Sequence, residues 1–173
     1  MRLFVAIGFD PPTKQAIIAV QDELRAVAAG GTFTLAENLH LTLAFLGECY
    51  ADQRAAAEEA MDGQVFEPFD IAFDRTGRFR AQGGDTWWLG LDASRDLARL
   101  QTGLVKTLDA AGLPVDRRLF RPHLTLARRV HSTVSPWPVT PITARVDRIL
   151  LMDSSRVDGR LAYTTLHVRA ACQ

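Results

Sequence analysis

His-Leu-Thr-Leu constrains this chain more than any other stretch, because it occurs twice. The copies, at residues 40–43 and 123–126, stand about half of the 173 residues apart. In an extended strand successive side chains point to opposite faces, so residues i and i+2 share one. His40 and Thr42 therefore face one way and Leu41 and Leu43 the other; His123 and Thr125 are divided from Leu124 and Leu126 in the same manner. Each copy reads as a strand with an apolar face for a core and a polar face left free. Two such strands imply two related lobes that offer two imidazoles and two hydroxyls to one shared cleft.

The elements around the copies repeat in order. RLFVAIGF, residues 2–9, has the apolar and β-branched density of a buried strand. Asp10 and Pro11 supply an N-cap and a first helical position. Ile17, Val20, Leu24, Val27 and Ala28 follow at helical spacing, and Gly30 and Gly31 end the helix. A turn at Glu37 and Asn38 leads to the first HLTL strand, which runs through Phe45 and stops at Gly47. Residues 51–63 predict a short second helix and residues 69–73 a strand. Residues 74–86 hold Gly77, Gly83 and Gly84 with Arg75, Arg78 and Arg80. They read as a mobile basic loop, either a rim for a phosphate-bearing substrate or a solvated surface.

WWLGL, residues 87–91, then matches the opening strand. A helix capped by Asp92 or Ser94 carries Leu97, Leu100, Leu104, Leu108 and Ala111 on one face and closes at Gly112. RRLFRP leads into the second HLTL. The parallel stops there, because residues 132–141 read as a proline-rich loop where the first lobe has its second helix. Strands at 142–153 and 161–169, joined around Asp158-Gly159, complete the chain. The expectation is an α+β fold, a bilobal pseudo-two-fold duplication with two antiparallel sheets flanking a central cleft and helices on the outside. It forms one domain over residues 1–173.

Charge limits the partners. The 20 basic and 20 acidic side chains cancel, so the molecule as a whole has no electrostatic pull toward nucleic acid, and any such contact is local. The basic residues are nearly all arginine, with Lys14 and Lys106 the exceptions. Base composition of the genome accounts for that bias, yet Arg117, Arg118, Arg121, Arg128 and Arg129 cluster around the second HLTL, where a guanidinium suits a phosphate. Cys49 and Cys172 form neither a disulfide framework nor a zinc pattern, and no run is long and apolar enough for a membrane span. The expectation is a cytoplasmic protein with no membrane association and no obligate protein partner.

Histidine is the side chain whose ordinary pKa allows both protonation states near neutrality. Two histidines facing one phosphate divide the labour: a neutral ring takes a proton from water, and a protonated ring gives one to a departing ribose oxygen. The threonine hydroxyls on the same face donate to the non-bridging oxygens. One HLTL alone carries little meaning, since threonine is simply a good strand residue. The argument rests on two copies at matching places in a repeated order. A metal site fits poorly, because the i+2 partner is threonine and no carboxylate accompanies either motif on that face; no metal or other cofactor is expected. His131 and His167 have no such company and read as surface residues.

With these motifs the chain resembles the 2H phosphoesterase superfamily, defined by two His-x-Thr/Ser-x motifs in a bilobal fold. More narrowly it is similar to the bacterial and archaeal RNA 2′,3′-cyclic phosphodiesterases, also called 2′-5′ RNA ligases. The likeness runs through RLFVAI, HLTLAFLG at 40–47, WWLGL, FRPHLTLAR at 120–128, LLMDS and Tyr163. It implies metal-free hydrolysis of a terminal ribose 2′,3′-cyclic phosphate to a 2′-phosphomonoester, with RNA ends or nucleotides carrying that group as partners. His40 is then the proton donor and His123 the proton acceptor, and Thr42 and Thr125 hold the phosphate. Run backwards with an RNA 5′-hydroxyl in place of water, the same geometry makes a 2′-5′ linkage.

Arg128 stands where the family often carries a phosphate-contacting arginine. Plain alternation puts it on the wrong face, so it reaches the cleft only if the strand twists, bulges or ends first. Phe45 holds the same offset in the first copy. Trp88 and Phe9 have faces suited to stacking a base, against the ordinary use of both in core packing. Two other readings keep the same cleft: a phosphodiesterase for small cyclic nucleotides or ADP-ribose cyclic phosphate, and a non-catalytic RNA-end-binding module.

Overall fold

The computed structural model describes residues 1–92, 94–116 and 118–172, so Arg117 lies outside the described residues. The chain runs β1 (Arg2–Gly8), α1 (Pro11–Val27), β2 (Thr32–Phe33), a 3-10 turn (Ala36–Asn38), β3 (His40–Glu48), α2 (Ala51–Asp62), β4 (Phe69–Phe79), β5 (Asp85–Gly90), α3 (Arg95–Ala110), β6 (His123–Val130), β7 (Pro138–Val146), β8 (Arg148–Val157) and β9 (Arg160–Ala170). The mixed helix and strand content agrees with the α+β expectation. No helix among the described residues is long and apolar enough to cross a membrane.

The strands pair antiparallel in one path, β7-β4-β5-β6-β3-β1-β8-β9, with β2 added to β6. The two expected sheets are therefore one hydrogen-bonded sheet. It narrows at its middle, where β3 meets β6 through the Leu41–Leu124 pair. Four strands of that path lie to each side of the seam, and each HLTL strand is the innermost of its half. The leucines of both motifs are buried against the helices, in a core shared with Ile17, Leu24, Leu97, Leu100 and Leu104. That leaves the opposite face of β3 and β6 for the histidines and threonines.

The helix caps follow the sequence. Asp10 accepts from the Thr13 amide at 2.9 Å, and Ser94 rather than Asp92 caps α3 by accepting from the Leu97 amide at 3.2 Å. Asp158 and Gly159 both take positive φ, 50° and 78°, in the turn between β8 and β9.

Four boundaries differ from expectation. Residues 74–79 continue β4 and residues 85–90 form β5, so the expected mobile loop at 74–86 is a hairpin with a short turn at its tip. Two of its three arginines are paired: Arg75 with Asp74 and Asp92, and Arg78 with Asp85. The glycine there that suggested a loop, Gly77, sits instead under an aromatic ring. The proline-rich stretch becomes strand from Pro138 onward; β7 lies at the sheet edge, where missing N–H groups are tolerated. The expected strand 142–153 is divided at Asp147 between β7 and β8, at opposite halves of the sheet, where two exposed charged residues, Asp147 and Arg148, follow one another. Gly47 does not stop β3, which takes it at φ 74° and continues to Glu48.

Candidate active site

The register at the seam brings the two motifs together. With Leu41 opposite Leu124 in an antiparallel pair, His40 falls beside Thr125 and Thr42 beside His123, all on the face turned from the core. His40 and His123 are then diagonal neighbours, which in antiparallel sheet are about 7–8 Å apart along the backbone. Their rings can flank one phosphate from that spacing.

Both rings are held alike. His40 Nδ1 lies 2.7 Å from the Asn38 carbonyl oxygen, and His123 Nδ1 lies 2.7 Å from that of Arg121. A carbonyl only accepts, so each Nδ1 carries hydrogen and each Nε2 is the nitrogen that gains or loses a proton. His40 Nε2 is 3.0 Å from the Thr42 hydroxyl, which donates to it when the ring is neutral. Aromatic edges fix both planes: Tyr163 stands at 88° to His40 with centroids 5.0 Å apart, and Phe79 at 87° to His123 at 5.2 Å. Phe4 adds a second contact to His40.

Burial among these rings lowers the His40 pKa from its ordinary 6.5, the Asn38 carbonyl opposes that shift, and the positive charges of Arg128 and His123 add to it. Tyr163 is half-buried, and loss of water holds its phenol above the usual value, so it stays a neutral donor.

Arg128 reaches this face because the strand bulges. Trp88 of β5 pairs with Thr125 and Trp87 with Ala127, which leaves Leu126 as an extra residue. Leu126 and Ala127 are both fully buried in succession, and Arg128 then returns to the side of His123. The first copy bulges at the same place: Ala6 pairs with Thr42 and Val5 with Ala44, Leu43 and Ala44 are both buried, and Phe45 takes the position of Arg128.

A bulge frees a carbonyl, and here a glutamine from a helix meets each one. Gln21 of α1, buried, donates through Nε2 to the Leu126 oxygen at 2.8 Å and to the Thr34 oxygen at 2.9 Å. Gln101 of α3 donates to the Leu43 oxygen at 3.3 Å. Each helix thus braces the HLTL strand from the other half of the sequence. Sequence reading missed both glutamines, and it missed Asn38, whose side-chain amide donates to the Leu161 oxygen on β9 while its carbonyl holds His40. The available signal was positional, since Gln21 follows Val20 as Gln101 follows Leu100 within matching apolar faces. Replacing Gln21 by leucine is expected to lower stability by about 1–3 kcal/mol. Gln101→Leu, with one longer bond, is expected to lower it less; urea denaturation compares the two.

Among the other expected residues, Phe9 packs edge-on to Phe73 at 5.7 Å and belongs to the core. Trp88 is half-buried beside His123, at 6.2 Å between centroids. His131 bridges to Ala29, and His167 ties β9 to Asp62 of α2 at 2.8 Å. Among the described residues no three His, Cys, Asp or Glu side chains converge as metal ligands would. Taken together, the site holds two rings with fixed tautomers, two hydroxyls and one guanidinium on a single face, a set fitted to proton transfer at an anion.

The family model of the 2′-5′ RNA ligase superfamily matches residues 9–158. A protein of Archaeoglobus fulgidus named RNA 2′,3′-cyclic phosphodiesterase is 35% identical over 129 residues, 74% of this chain and 72% of that protein. The protein of the same name from Escherichia coli is 33% identical over 168 residues, 95% of this chain and 93% of its own. Among solved structures, E. coli LigT complexed with 3′-AMP superposes with a TM-score of 0.88 at 30% identity, covering 99% of this chain and 98% of that one.

Proposed function

This chain belongs to the 2′-5′ RNA ligase superfamily, and from that premise we propose that it is an RNA 2′,3′-cyclic phosphodiesterase, opening a terminal cyclic phosphate to a 2′-phosphomonoester by two-histidine chemistry that needs no metal. The observation that carries this reading is the matched pair of Nδ1 to carbonyl contacts, which turns both Nε2 atoms to one sheet face. The names of the curated relatives supply the substrate class.

The phosphate lies between the rings, its non-bridging oxygens against the hydroxyls of Thr42 and Thr125 and the guanidinium of Arg128. His123, neutral, takes a proton from water as the water oxygen bonds to phosphorus. The bond to O3′ breaks on the far side, and His40 supplies the proton that O3′ needs. With a 5′-hydroxyl in place of water, the same steps form a 2′-5′ linkage. The repeated bulge suits this division, since it sets two near-identical HxT units across one phosphorus and lets Arg128 and Phe45 differ.

The test is product analysis of a short RNA ending in a 2′,3′-cyclic phosphate, with and without EDTA. A 2′-phosphate formed equally in both supports the reading; a 3′-phosphate, or loss of turnover in EDTA that added metal restores, removes it.

The acid role of His40 has a pH signature. A donor must hold its proton, and in the free protein burial lowers the pKa of His40 below 6.5. Thus kcat/KM is expected to fall with rising pH already on the acid side of neutrality. A bound phosphate anion favours the imidazolium, so the alkaline limb of kcat is expected at higher pH than that of kcat/KM. Arg128→Gln removes a positive neighbour and is expected to move the kcat/KM limb upward. Limbs that coincide, or that move downward in that variant, contradict the assignment.

A further inference from the structure

Beside His123, within the β4–β5 half of the sheet, lies a hollow of about 320 Å³ with walls from Phe79, Trp88 and Phe120 and charged groups from Arg75, Arg121 and Asp92. The proton-transfer steps use none of these. What makes it a built site is the setting of Trp88. Its six-membered ring lies on Gly77 and Gly90: a Cβ on Gly77 would come within 2.0 Å of Cη2, and one on Gly90 within 2.5 Å of Cζ3. Neither glycine has a positive φ, so backbone conformation does not require them, and room for the indole does. The ring is thereby laid on the β4–β5 ladder, where Gly77 pairs with Trp88. Phe79 flanks it at 5.3 Å, tilted 41°, and its Nε1 is buried without a hydrogen-bond partner.

An indole set on glycines, flanked by aromatic rings and edged by guanidinium groups, is a platform for the π-face of a nucleobase. The larger hollow of about 490 Å³, between Ala81–Asp85 and Val130–Thr133, has neither an aromatic floor nor a motif side chain.

We propose that the hollow on Trp88 seats the nucleobase of an RNA strand that presents a free 5′-hydroxyl to the phosphate. The assignment rests on the two-histidine reading above, in which His123 faces the nucleophile. A base lying beyond His123 then belongs to the strand that supplies the nucleophile, while the ribose bearing O3′ extends toward His40. In that direction O5′ bonds to phosphorus and its proton passes to His123 Nε2. The P–O3′ bond breaks and O3′ takes the His40 proton, so the product is a 2′-5′ phosphodiester with no net change in protons.

The reverse step gives the cleanest test. A 2′-5′-linked diadenosine monophosphate occupies both sides of the phosphorus, whereas adenosine 2′,3′-cyclic phosphate leaves the hollow empty. Stacking on one aromatic ring changes affinity by about tenfold to a hundredfold. The ratio of kcat/KM, dinucleotide over mononucleotide, is expected to fall by about that factor in Trp88→Leu and in Phe120→Ala. Gly77→Ala, which lifts the ring, should lower it in the same sense. Circular dichroism checks that each variant folds. A ratio unchanged in all three overturns the subsite, whatever happens to the absolute rates. A wild-type protein that turns over neither substrate removes the two-histidine reading instead. The hollow is then judged by tryptophan fluorescence: quenching by millimolar adenosine that disappears in Trp88→Leu supports it, and no quenching overturns it.

Discussion

Alanine in place of His40 or His123 is expected to lower kcat/KM on an RNA ending in a 2′,3′-cyclic phosphate by about 10²- to 10⁴-fold. The two losses should be of similar size, because both rings are held by the same contact and each serves one of two coupled proton transfers. The double variant should be little worse than the poorer single one, since groups that act as a unit do not contribute additively. Single-turnover rates on the same RNA decide the matter, and a single variant within tenfold of the intact protein would refute the division of labour. The two should also part company in pH dependence. His40→Ala loses the alkaline limb and His123→Ala the acid one, because an acid works only while protonated and a base only while free.

Truncating the seam is expected to be the costliest change to stability outside the hydrophobic centres of the two halves. Leu41 and Leu124 are both fully buried and are the paired residues through which β3 meets β6. Leu41→Ala or Leu124→Ala should each destabilise by about 2–5 kcal/mol, from lost burial and the cavity left behind. Because the side chains are neighbours across the seam, the double variant should depart from additivity by about 0.5–3 kcal/mol. Guanidinium denaturation of the four proteins in the cycle measures both quantities. Strict additivity would mean that the halves are held together elsewhere, by the helices and by the pairing of β2 with β6.

Much of this arrangement was legible in the residues. The alternation within HLTL put the histidines and threonines on one face and the leucines in the core, and the structure divides them that way. Helix limits at Asp10, Ser94 and Gly112 followed from local capping chemistry that depends on neighbours in sequence. Arg128 was assigned to the cleft only on condition of a bulge, because a period of two holds until one residue is added to a strand; Leu126 is that residue. The basic loop at 74–86 failed for a different reason. Gly77 marks a close approach of Trp88, a contact between strands that composition reads as flexibility. The division at Asp147 shows in sequence only as a one-residue change of phase, from Ile142, Ala144 and Val146 to Ile149 and Leu151, which a twist or bulge within one strand would also produce. Asn38 and Gln21 act through partners at Leu161 and Leu126, and no local pattern announces a bond across more than a hundred residues.

The crossed glutamine braces carry a consequence for how the molecule can be divided. Cutting the polypeptide near its midpoint would not release two self-sufficient pieces. The first fragment would keep the Gln21 amide on Thr34 alone and a kinked strand whose oxygen had lost its donor, and the second would keep a kinked strand without its donor and the Gln101 amide without its acceptor. Fragment complementation should therefore restore what neither piece retains alone, with each supplying the clasp that closes the other.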